Sequence, residues 1–159
     1  MPSKTLAKTA GAALATAVVG GLASRPAQSP WYTRLKKPSF QPPAQAFPIV
    51  WPILYTDIAV VSASTIDALH EQGRHAEARS YSRALAANLV LNAGWSWIFF
   101  NQRRLGTAAV AAAALAASST DLARRAASVQ PAAGAALAPY PLWCGFATAL
   151  STRIWQLNR

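Results

Sequence analysis

All six tryptophans of this 159-residue chain fall in three places: Trp31 and Trp51, Trp95 and Trp97, Trp143 and Trp155. Around them the sequence repeats aromatic, partly polar stripes at helical spacing. Asn88, Asn92, Trp95 and Phe99 follow i, i+4, i+7, i+11, and Trp143, Ala147, Leu150 and Ile154 do the same. Trp51 and Tyr55 stand at i and i+4, with Leu54 and Ile58 beside them. Three such faces, converging, would wall an apolar pocket with a few polar handles, which is the make-up of a small-molecule site. The competing reading is aromatic packing between helices. For Trp31, Trp97 and Trp155 it is the belt that Trp and Tyr form at a membrane–water interface.

Conventional catalysis finds little here. No paired acid and base, activated nucleophile or metal site stands out. The single cysteine, Cys144, excludes an internal disulfide framework, and with His70 and His75 it leaves no Cys/His zinc cluster.

The elements that must position these residues follow from charge. Hydrophobic residues make up 53% of the chain, with 37 alanines, and charged residues only 13%, yet the net charge is +10. That excludes a disordered chain and argues against an ordinary soluble enzyme. A nucleic-acid binder and a polytopic membrane protein remain. A nucleic-acid binder would spread Lys and Arg along one face. Here they punctuate uncharged runs at 9–24, 38–56, 84–102, 105–120 and 126–152, and three of these runs alone have spanning length. The pattern predicts an all-α membrane protein, a single domain over 1–159. Its five transmembrane helices are expected at about 6–24, 44–70, 76–101, 104–128 and 131–157, with an extended, proline-rich first loop. Pro48 and Pro52 should disturb the second helix, and Pro139 and Pro141 should kink the fifth. The first segment also reads as a signal peptide, with Lys4 and Lys8 before an apolar run and Gly21-Leu22-Ala23 as a small-x-small site. Basic residues split seven to eight between the two faces, so orientation is not encoded. Asn88 and Asn92, within a span, should face the bundle or a ligand.

The residues also carry a resemblance. Trp31-Tyr32-x3-Lys36-Lys37-Pro38-Ser39-Phe40-x-Pro42-Pro43, then Phe47-Pro48-x2-Trp51-x2-Leu54-Tyr55, resemble the first-loop signature of the TspO/MBR family. So do Asn92-x2-Trp95-x3-Phe99-Phe100, Pro139-Tyr140-x2-Trp143-x2-Phe146-Ala147-x2-Leu150 and Ile154-Trp155-x2-Asn158, in order over about 6–158. The family comprises bacterial tryptophan-rich sensory proteins and the mitochondrial translocator protein, the peripheral-type benzodiazepine receptor. The excess of Arg over Lys, 11 to 4, points to a bacterial member. With the family in view, the first segment is expected to be a span.

The resemblance implies a homodimeric membrane receptor or sensor. Its ligands would be porphyrins, protoporphyrin IX or haem, and other apolar small molecules of the isoquinoline or benzodiazepine type. Membrane lipid is its surroundings; no nucleic acid partner and no required cofactor or metal is implied. The carried-over pocket comprises Tyr32, Pro43, Phe47, Trp51, Asn92, Trp95, Trp143, Ala147 and Leu150. Some bacterial members degrade bound protoporphyrin in light; Trp51 and Trp143 match the tryptophans concerned, since an indole can donate an electron to an excited pigment. A tetrapyrrole or lipid transporter is the further alternative.

Several positions are weighed against this pattern. Phe40 and Gln45 stand where the family often has Trp. The late fifth helix lacks the Tyr of the animal cholesterol motif. Asp57 is unusual in a span and is expected either to contact a neighbouring helix or an interface, or to line the pocket. Arg34, Lys36 and Lys37 would bind headgroups or a ligand's carboxylates. His70 and His75 are expected to be solvated rather than haem ligands. For a dimer contact, Ala13/Ala17/Gly21 and Ala109/Ala113/Ala117 offer small-residue stripes.

Overall fold

The computed structural model describes residues 2–23, 30–42 and 46–159. Pro43 and Gln45 lie outside the described residues, as do the side chains of Tyr32 and Phe47. The elements are α1 (Pro2–Ala23), α2 (Pro30–Arg34), α3 (Ala46–Glu71), α4 (His75–Ser96), α5 (Leu105–Val129), α6 (Pro131–Leu137) and α7 (Pro139–Asn158). Five of these, α1, α3, α4, α5 and α7, are long, and no strand occurs among the described residues.

Local chemistry sets the helix ends. Gly73 adopts φ 71° after α3, which lets the Arg74 N–H reach the Leu69 carbonyl at 2.8 Å and the Gly73 N–H reach His70 at 3.0 Å. This is the paired bonding of a left-handed glycine cap. The turn before α5 has the same length, Gln102 to Arg104. There Arg103, not a glycine, takes φ 56°. Pro131 opens α6 at its first turn, where no N–H is needed.

Three details depart from the sequence expectation. The first loop contains the one-turn helix α2. The α4 axis continues through a π-helical turn, Trp97–Asn101, in which the Gln102 N–H reaches back to the Trp97 carbonyl at 3.0 Å. The last helix is two, α6 and α7, meeting at Ala138. Pro139 and Pro141 bring no N–H to the Ala135 and Leu137 carbonyls, and the Ala138 N–H bonds to Ala135 in a tightened turn at 3.3 Å instead. By contrast, α3 runs through Pro52 without interruption.

The bundle packs α5 against α7 and α1 against α3, with α4 touching α1, α3 and α5. The outer surface is unlike that of a soluble protein. Large apolar side chains point outward, among them Leu142 at 73%, Val90 at 71% and Val110 at 70% exposure. Meanwhile Ser62, Thr65, Asn88, Asn92, Ser119 and Ser151 are buried. In hydrocarbon the outer surface must be apolar, and polar groups must find partners inside. By length and composition alone, α1, α3 and α5 are apolar enough to cross a membrane. Two packed clusters form the interior. One gathers Leu54, Ile58, Leu69, Tyr81, Leu122, Leu137 and Tyr140 toward the α3–α4 turn. The other joins Phe99, Ala108, Leu150 and Ile154 near the first loop, with Trp31 and Leu35 packed on it.

Candidate functional site

A cavity of about 1120 Å³ opens between α1, α3, α4 and α7 beneath the first loop. Its lining is mostly aromatic and apolar. Trp51 stacks on Tyr55, with centroids 5.6 Å apart, and meets Trp143 edge-on at 6.4 Å. Trp143 lies 5.4 Å from Phe146, and Trp95 stacks on Phe99 at 5.4 Å while touching Phe100 edge-on at 6.1 Å. The neighbours Phe99 and Phe100 of the π-helical turn are both on the cavity wall.

Polar groups enter at two levels. Deep in the wall, Tyr55 Oη donates to Asn92 Oδ1 at 2.8 Å, and Asn92 Nδ2 donates to Tyr140 Oη at 3.0 Å. Tyr140 Oη donates in turn to Asn88 Oδ1 at 2.7 Å, and Asn88 Nδ2 donates to Ser118 and Ser119 at 3.2 and 3.1 Å. This chain ties α3, α4, α5 and α7 together and fixes the Asn92 amide. The Trp95 indole N–H is buried without an acceptor among the described residues. At the mouth stand Lys37 and Gln41. Burial holds the Lys37 ammonium below the ordinary lysine range, and its Nζ donates to the Leu35 carbonyl at 3.3 Å.

The first loop is fastened over this mouth. Asn158 Oδ1 accepts from the Lys36 N–H at 2.9 Å, and its Nδ2 donates to the Lys36 carbonyl at 2.8 Å. Phe40 meets Phe146 edge-on at 6.1 Å. Trp31 rests on Phe99 at 6.2 Å, and the Arg103 guanidinium lies 4.9 Å above its ring.

The family model for the TspO/MBR family matches residues 9–156. The chain belongs to that family. Among its relatives is the tryptophan-rich protein TspO of Chlorobaculum tepidum, 33% identical over 156 residues, covering 97% of this chain and 96% of that protein. The translocator protein of Ovis aries is 32% identical over 157 residues, covering 98% and 88%. An uncharacterized membrane protein of Bacillus subtilis, YtaB, is 35% identical over 133 residues, covering 84% and 83%. Like this family, the chain is a multi-pass helical membrane protein.

Of the pocket residues carried over from the TspO/MBR pattern, Trp51, Asn92, Trp95, Trp143, Ala147 and Leu150 all line the cavity. The Tyr32 and Phe47 side chains and Pro43 are outside the described residues. Asn88 faces the bundle but sits behind Asn92 as its support. Leu54 and Ile58, beside Trp51 in sequence, belong to the packed cluster instead. Asp57 is absent from the cavity wall, so the pocket-lining reading of that carboxylate is withdrawn. Among Arg34, Lys36 and Lys37, Lys37 reaches the cavity, while the other two are exposed. Trp97 and Trp155 are exposed, as a belt requires, but Trp31 is packed on Phe99. His70 and His75 are exposed at the α3–α4 turn, where their Nδ1 atoms share a hydrogen bond of 2.8 Å.

Sequence reasoning missed one wall entirely. The α1 residues Ala13, Ala17 and Gly21 face the cavity. The same small-residue spacing offers a dimer contact in the sequence, and in the structure these three residues also line the cavity. The signal was present, because Leu6, Ala10, Ala13, Ala17 and Gly20 keep helical spacing.

Proposed function

We propose that this TspO/MBR protein is a membrane receptor for porphyrins and similar flat apolar molecules, acting as a sensor in tetrapyrrole handling. The observation that carries the reading is the cavity itself. Its volume of about 1120 Å³ lies just above the ordinary range of small-molecule pockets. Three helices supply indole and phenyl faces for a large ring system, with Asn92 and Tyr55 as polar handles on one side and Lys37 and Gln41 at the mouth. A tetrapyrrole has this distribution, a broad apolar ring with carboxylates on one edge. A carboxylate reaching Lys37 would gain a charge-assisted hydrogen bond. Trp51, Asn92, Trp95, Trp143, Ala147 and Leu150 would be the contact residues.

The test is titration of detergent-solubilised protein with protoporphyrin IX in darkness, read by tryptophan quenching. Saturable quenching is expected, weakened in Trp51→Phe and Trp143→Phe. Equal quenching in both variants sinks the pocket assignment. The edge contact of Trp51 with Trp143 favours a second reading, light-dependent pigment degradation in air, because paired indoles on the wall would be electron donors to an excited ring bound in the cavity. Survival of the porphyrin absorption band under illumination in air would remove it.

A further inference from the structure

We infer that ligand enters this cavity sideways, from the bilayer, through a slot between α1 and α3, and not from water through the first loop. The inference rests on the ligand-binding reading above. Residues that are exposed on the outside of a bundle and also line its cavity mark an opening. Two such stripes face each other. On α1 they are Ala10, Leu14 and Gly21; on α3 they are Pro52, Thr56 and Val60, at i, i+4 and i+8. Leu14 is 65% exposed and Val60 52%. Both stripes run along helices of spanning length and composition, so the opening faces hydrocarbon.

The two ends of the seam differ. Toward the start of α1 it is stapled: Thr5 Oγ1 donates to Asp67 at 2.7 Å and Thr9 Oγ1 to the Ala59 carbonyl at 2.9 Å. Toward the first loop, α1 presents small residues and the helices leave the gap that joins the cavity. Thr56 adds no free polarity, since its hydroxyl donates to the Pro52 carbonyl at 2.8 Å. The slot is therefore lined by small and apolar side chains, suited to the edge of a planar ring already dissolved in the membrane. The water-facing route is fastened by the Asn158 clamp on Lys36 and by Phe40 on Phe146. The class of ligand that fits both slot and cavity is a flat, membrane-partitioning ring whose polar groups lie on one edge, left trailing toward Lys37.

The experiment uses the full chain in liposomes, with protoporphyrin IX delivered from preloaded vesicles and, separately, pyrene as a flat ring without carboxylates. The signal is the phase of tryptophan quenching that Trp51→Phe loses. Val60→Phe and Leu14→Trp each narrow the slot, at side chains that are 52% and 65% exposed. Either should slow association by about tenfold and dissociation by a similar factor, leaving Kd within about twofold, because an access route changes both rates together. Asn158→Ala, which frees the loop, should leave the rates unchanged. Unchanged rates in both slot variants, or faster entry in Asn158→Ala, overturn the inference. So does ready disulfide dimerisation of Leu14→Cys, which would put a second copy over the slot, and so does failure of both probes to quench. If pyrene entry is slowed by the slot variants while protoporphyrin gives no cavity phase, the slot stands and the porphyrin reading falls.

Discussion

Tyr140→Phe isolates the polar chain behind the cavity. Tyr140 is fully buried, and the substitution keeps the ring while removing one oxygen, so no packing volume beyond that atom is lost. Two hydrogen bonds go with it, from Asn92 Nδ2 at 3.0 Å and to Asn88 Oδ1 at 2.7 Å. Neither partner is left wholly unbonded, because Asn92 still accepts from Tyr55 and Asn88 still donates to Ser118 and Ser119. In a soluble core each bond would be worth about 0.5–1.5 kcal/mol, with about 1–3 kcal/mol more for a group stranded without a partner. Within membranes the measured interhelical average is nearer ~0.6 kcal/mol, because the unfolded reference finds partners too. The second scale governs here, and two bonds plus partial stranding give a loss of about 1–3 kcal/mol. Detergent-denaturation curves for wild type, Tyr140→Phe, Asn88→Ala and the double variant would measure it. The double variant should be less destabilised than the sum of the singles by at least about 0.5 kcal/mol. Additive losses, or a Tyr140→Phe loss below about 0.5 kcal/mol, would show that these groups do not act as a connected chain.

Three further outcomes follow from single contacts. Gly134→Ala would drive a Cβ into the Ala127 Cβ and to 2.7 Å from its Cα, backbone that cannot yield cheaply, so unfolding should shift by about 1–3 kcal/mol toward instability. Arg103→Ala should destabilise by about 0.5–1 kcal/mol through loss of the guanidinium over Trp31. Arg103→Gly loses the same contact but relieves a left-handed backbone worth about 1 kcal/mol, so it should come within about 0.5 kcal/mol of wild type in the same assay. Lys37→Ala should weaken protoporphyrin IX binding by about tenfold, the scale of one charge-assisted hydrogen bond, and leave pyrene binding within about twofold; equal losses for both probes would remove Lys37 from the site.

What the sequence made legible was whatever repeats with the helical period. The stripes containing Trp95 and Trp143 could be placed on one wall because an α-helix returns to the same face at i+4 and i+7. The uncharged runs located the long helices because a bilayer tolerates few charges in between. What stayed hidden depends on the neighbour across the gap. Ala13, Ala17 and Gly21 have one spacing whether they meet a second copy or their own cavity, and side-chain size cannot distinguish the two. The π-helical turn at Trp97–Asn101 and the break at Ala138 alter the period itself, so a fixed spacing misplaces Phe100 and treats α6 and α7 as one helix. Asp57, two residues past Tyr55, is turned about 200° around the helix from it and so leaves the cavity wall.

The division of α3 explains how one helix serves both stability and access. Its half near Glu71 is packed: Ile58 and Leu69 are buried in the main cluster, Ser62 shares a hydrogen bond of 3.0 Å with Tyr81, and Thr5 and Thr9 fasten α1 to it. Its other half faces the cavity on one side, at Trp51 and Tyr55, and the surroundings on the other, at Ile49 and Ile53, each 62% exposed. Local opening costs least where few buried contacts must be broken. Widening the slot by moving the α1 end nearest the first loop therefore leaves the stapled half and the Asn92–Tyr140–Asn88 chain in place. The bundle can admit a large ring without surrendering the contacts that hold it together, because the α1–α3 staples lie toward the other end of the seam and the polar chain lies behind the cavity.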